Sequence, residues 1–178
     1  MRFVVTGEWS RNRLLQVIVV CYALYVGALW VTNALLYFSK MGLTPASVVA
    51  YYLGSEELFQ PARSYQGLLE VSHFHLFAMG MLLLVLTHLA LFVPVSPRAK
   101  AALVVVPFFA AFLDEGSGWL VRYVSPGFAV LKIAGFLLLQ TSLAALVGVS
   151  LWAVFAGGQG ETYAGPDAWD EDEEPEAT

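Results

Sequence analysis

The stretch Glu70-Val71-Ser72-His73-Phe74-His75-Leu76-Phe77-Ala78-Met79-Gly80-Met81 runs on through Thr87 and His88 to Pro94 without another charged side chain. All three histidines of the chain fall inside it. A run this long and apolar crosses a bilayer as a helix, since about 20 residues at 1.5 Å each match the hydrocarbon thickness. A polar ring at such depth needs a partner or a ligand. The stretch therefore marks a membrane protein and directs the search for its chemistry to His73, His75 and His88.

Working outward, three more stretches have the same character. The expected spans are 14–38, 68–93, 99–124 and 128–155. Backbone groups in lipid must be satisfied within their own segment, so these are helices rather than strands. The fold class expected is all-α: an integral membrane four-helix bundle over residues 14–156, with a short interfacial helix in the first outer loop. Composition agrees, with 58% hydrophobic and 13% charged residues. The net charge of −5 belongs to the tail: residues 161–178 hold eight acids and no base, while the rest of the chain sums to +3. Residues 157–178 read as a solvated, disordered extension, with a docking segment for a basic partner as the alternative. Cys21, the single cysteine, excludes an intrachain disulfide and covalent c-type haem, and among Val19, Val20 and Tyr22 it reads as a buried, inert thiol.

Arg2, Arg11, Arg13, Arg98 and Lys100 lie in short segments against the spans on one side. By the positive-inside rule both termini, residues 1–13 included, are cytoplasmic, in a bacterial-type inner membrane. The first span reads as retained, because its apolar run is too long for a cleaved signal. In the loop 39–67, Thr44-Pro45 is a cap followed by proline at the first helical position, and Gly54 can close the helix. This element should lie across the outer mouth of the bundle, and Ser64 should cap the second span. Asp114-Glu115-Gly116-Ser117-Gly118 interrupts the third span, where Gly116-Ser117-Gly118 is expected to loosen or end the helix, and Pro107 to kink it. In the fourth span, Gln140, Thr141 and Ser142 are expected to bond to neighbouring helices.

On a helix His73 and His88 differ by about 60° in direction and about 22 Å in height. Phe77, Gly80, Met81 and Leu84 share their stripe, and Gly80 offers bare backbone against which a macrocycle or quinone ring could pack. Glu70, one turn before His73, could fix its tautomer. His75 points roughly the other way, towards Met79. Two histidines stacked on one helix face resemble the small four-helix cytochrome b subunits that anchor oxidoreductases and pass electrons to or from quinone. The resemblance implies haem b or quinone along the His73–His88 face. Spans one, three and four hold no histidine, so a second iron ligand would come from another membrane or periplasmic redox subunit, a homo-oligomer mate, or Met79 or Met81.

Two other constellations compete. His73-Phe74-His75 with Met79-Gly80-Met81 mixes imidazole and thioether donors suited to copper, provided the helix begins after His75. Antiparallel spans also bring Asn33, Glu70, His73, His75, Asp114, Glu115, Arg122 and Lys132 to one leaflet. There, ion pairs of Asp114 or Glu115 with Lys132 or Arg122 are the structural reading, and a quinone head-group site is the functional one. His88 alone reads as a packed residue near the inner interface. The alternative function is a non-catalytic anchor or assembly subunit of a larger complex. No P-loop, GxSxG, HExxH or Rossmann fingerprint is present. Nucleic acid is not an expected partner, since no basic stripe exists; the lipid bilayer is.

Overall fold

The computed structural model describes residues 13–91, 93 and 95–156. The N-terminal segment expected to be cytoplasmic, the acidic tail, Phe92 and Pro94 lie outside the described residues. The elements are α1 (Arg13–Lys40), α2 (Pro45–Leu53), α3 (Tyr65–Ala90), α4 (Pro97–Tyr123), a short 3-10 turn (Pro126–Phe128) and α5 (Ala129–Ala156). Four of them are long and apolar enough to cross a membrane. The chain is a multi-pass all-α membrane protein.

Local chemistry sets the helix ends. Thr44 accepts from Ser47 N and Pro45 opens α2, while Gly54 closes it at φ 89°, a left-handed value that favours glycine. Ser64 accepts from Gly67 N at the start of α3, and Ser96 from Ala99 N at the start of α4. Lys100 Nζ donates to Leu91 O, tying the start of α4 to the end of α3.

The core sits on α5. It packs tightly against α4 and also meets α1, α3 and α2. One apolar cluster fills the middle, with Leu83 and Leu86 of α3 against Ala110 of α4 and Leu139, Leu143 and Leu146 of α5. A second, around Val48, Tyr52, Val121 and Phe136, fixes α2 across one end of the bundle. The helix α1 is attached chiefly to α5: Trp30 Nε1 donates to Gln140 O at 2.9 Å, and the Tyr37 ring stacks on Phe136 at 3.7 Å.

Three expectations need correction. The segment Asp114–Gly118 neither loosens nor ends its helix, and α4 runs unbroken to Tyr123. Its acids find partners inside the bundle, Ser117 Oγ bonds back to Asp114 O, and the bare edge of Gly118 is filled by Tyr52. Cys21 is exposed rather than buried, because α1 turns Val19 and Val26 inward and Cys21 away from α5. Thr141 and Ser142 donate to Leu137 O and Leu138 O of their own helix, the nearest acceptors in an apolar setting, and not to a neighbour.

Candidate functional site

Beneath α2, a cavity of about 510 Å³ lies between the ends of the long helices. Each helix brings polar groups to its wall: Asn33 and Lys40 from α1, Tyr51 and Tyr52 from α2, His75 from α3, Asp114 and Glu115 from α4, and Lys132 from α5. Arg63, from the segment before α3, completes the rim.

Asp114 and Lys132 are both buried, and they neutralise each other. Lys132 Nζ lies 2.7 Å from Asp114 Oδ1 and also donates to Asp114 O at 2.8 Å. Two charges out of water are tolerated only when so paired. Glu115 accepts from Ser72 Oγ, which in turn accepts from Trp119 Nε1 at 2.8 Å. Among the described residues Arg122 pairs with no acid; its Nε donates to Arg63 O at 2.8 Å, fastening the loop to α4. The Arg63 guanidinium stands 4.0 Å from the centre of the Tyr51 ring.

Burial pushes the Tyr52 phenol above the ordinary tyrosine range, and the neighbouring Asp114 carboxylate pushes in the same direction. Tyr51 is raised by burial, with Arg63 working against it. Both rings therefore face the cavity as neutral hydrogen-bonding groups.

One buried ring nitrogen on the wall finds nothing to bond to among the described residues. His75 Nε2 is buried and, among the described residues, has no hydrogen-bond partner. Such groups are rare in folded proteins, and leaving one unsatisfied costs about 1–3 kcal/mol. Gln140 and Ser150 also hold unpartnered buried polar atoms, but neither lines the cavity.

The other expected site residues fall elsewhere. His73 and His88 do share a stripe, and it faces out of the bundle together with exposed Phe77, Met81 and Leu84. Beside Gly80 there is open space, on that outward side. Glu70 accepts from Gln66 Nε2 at 3.0 Å, one turn back on the same helix, instead of reaching His73. The condition for a copper set is not met, since α3 begins at Tyr65 and His73 and His75 turn to different sides. Met79 is buried in the core while Met81 is exposed. Among the described residues, no cluster of three or more histidine, cysteine or acidic side chains is placed to hold a metal.

Sequence reasoning brought eight polar residues to one leaflet; Asn33, His75, Asp114, Glu115 and Lys132 line one cavity, and Glu70, His73 and Arg122 do not. It missed Lys40, Tyr37, Tyr52 and Arg63. The available signal was the position of Tyr51 and Tyr52 on a capped helix laid across the mouth, with Arg63 just ahead of the Ser64 cap.

A family model described as a transmembrane helical domain, Aq_1264_TM, matches residues 42–161. The chain belongs to this family. The Aq_1264_TM match takes in α2 to α5 and so most of the cavity wall; Asn33, Tyr37 and Lys40 of α1 precede it. No curated protein and no solved structure matches the chain.

Proposed function

We propose that this chain is a membrane subunit of an electron-transfer assembly and holds a quinone head group in the cavity beneath α2. The observation that carries the reading is the buried, unpartnered Nε2 of His75 on that wall. A quinone carbonyl is a neutral acceptor of the size and polarity this setting takes. It would satisfy the His75 ring without adding a charge to a site where Asp114 and Lys132 already cancel. Glu115, held by Ser72, is the carboxylate placed to exchange a proton with a reduced head group. Tyr51 and Tyr52 offer further neutral donors.

The quinone reading thus moves from the His73–His88 stripe to His75. That stripe faces outward, so a haem held there would belong to a contact between chains, with the second iron ligand supplied by the neighbour. With both termini cytoplasmic, as the arginines before α1 suggest, the cavity opens towards the periplasmic half of a bacterial inner membrane.

The test is extraction of the gently solubilised protein with organic solvent, followed by chromatography of the extract. The expected result is quinone at about one per chain, retained by His73→Ala and lost from His75→Leu. A folded wild-type protein with no quinone, and none taken up on addition, would leave the anchor or assembly role standing instead.

A further inference from the structure

We infer that the cavity takes a long-tailed amphiphile that enters sideways from the lipid, between α1 and α3, and leaves its tail in the opening flanked by Leu36 and Val71. This inference rests on the head-group reading above and adds the route and the class of ligand. Leu36 and Val71 both line the cavity, and both stay exposed on the outside of the bundle, at 53% and 55%. A side chain that belongs to a cavity wall and to the outer surface at once marks an opening. The opening lies where the bundle lacks a seam. Trp30 and Tyr37 fasten α1 to α5, and α1 makes no comparable approach to α3.

The remaining sides are closed or charged. The wall formed by α2 and α4 is shut, because the Tyr52 ring fills the notch at Gly118; a Cβ there would meet Tyr52 Oη at 2.6 Å. At the α2 end, Lys40 and Arg63 line the way in. His75 lies one turn deeper than Val71 on α3, and Asn33 nearly one turn deeper than Leu36 on α1, descents of about 6 Å and about 4.5 Å. A water-soluble ligand would have to pass two cations and then sink towards the hydrocarbon. An amphiphile in the lipid reaches the same point without leaving its leaflet, its tail never losing contact with lipid or with Leu36 and Val71.

The test compares two probes on the full chain in nanodiscs: a tailless dimethoxy-methyl-benzoquinone and the same ring with a decyl chain. Leu36→Trp and Val71→Trp narrow the opening; a third form carries Leu36→Cys with Cys21→Ser and is alkylated after folding with a bulky maleimide. Alkylation after folding keeps the test valid if a tryptophan variant does not assemble. The expected result is that blocking the opening weakens the decyl probe about tenfold or more and changes the tailless ring less than about twofold. His75→Leu weakens both. Equal losses for both probes, or no loss for either, would overturn side entry while leaving the head-group site intact. Binding of neither probe to the unmodified chain would remove the head-group reading, and side entry with it.

Discussion

Gly135 on α5 lies against the backbone of Asp114 on α4, so closely that a Cβ at position 135 would stand 2.8 Å from Asp114 N. This approach lets the two most tightly packed helices meet just where Lys132, one turn earlier on α5, reaches the Asp114 carboxylate. A methyl group there has only backbone to push against. Gly135→Ala should therefore destabilise the folded chain by about 1–3 kcal/mol, as overpacked cores do. Thermal unfolding in detergent, followed by tryptophan fluorescence, reads this as a lowered midpoint. An unchanged midpoint would mean that the α4–α5 seam has slack.

The ion pair beneath it should behave asymmetrically. Lys132→Met leaves a buried carboxylate unpaired and is expected to cost about 3–5 kcal/mol, whereas Asp114→Leu combined with Lys132→Met should recover most of that loss. Unfolding midpoints of the single and double variants make the comparison. A double variant no better than the single would show that the pair does more than neutralise itself.

His75 gives the opposite sign. Its Nε2 lacks a partner among the described residues, so an apolar replacement removes an unsatisfied group. With no ligand added, His75→Leu should match or exceed the wild-type stability, by up to about 1 kcal/mol, while quinone binding is lost. A histidine kept for packing would instead show a clear loss of stability on replacement.

Tyr52 should write a pH dependence into the fold. Burial raises its phenol above the ordinary value, so the folded chain keeps a proton that the unfolded chain gives up from about pH 10 upward. In that range the unfolded state binds fewer protons than the folded one, and stability falls as pH rises. Tyr52→Phe lacks this proton and should lose stability less steeply over the same range. Parallel alkaline slopes for the two proteins would contradict the burial of the hydroxyl.

The scaffold was legible because the length of an apolar run fixes the number of spans, and Thr44, Ser64 and Gly54 carry their capping roles in their side chains or lack of one. The inward face of α3 was not. A helix that is apolar all round carries no contrast between its core side and its lipid side, so His73 and His75 could not be ranked by pattern. The unbroken course of α4 was hidden for a related reason. Asp114 and Glu115 look like a break when read along one chain, and they become helix residues only once Lys132 and Ser72 are placed against them. Gly118 has the same history, since the ring that fills its notch lies 66 residues earlier, on α2.

The central claim is that the cavity beneath α2 holds a quinone head group at His75. It is tested most directly by photolabelling the full chain in nanodiscs with an azido-quinone and mapping the labelled peptides by mass spectrometry. The account predicts label on the cavity-lining segments of α3 and α4 around His75 and Glu115, displaced by excess unlabelled quinone and absent from His75→Leu. Displaceable label confined to the outward stripe of His73, Gly80 and His88, with the cavity residues clean, would contradict it.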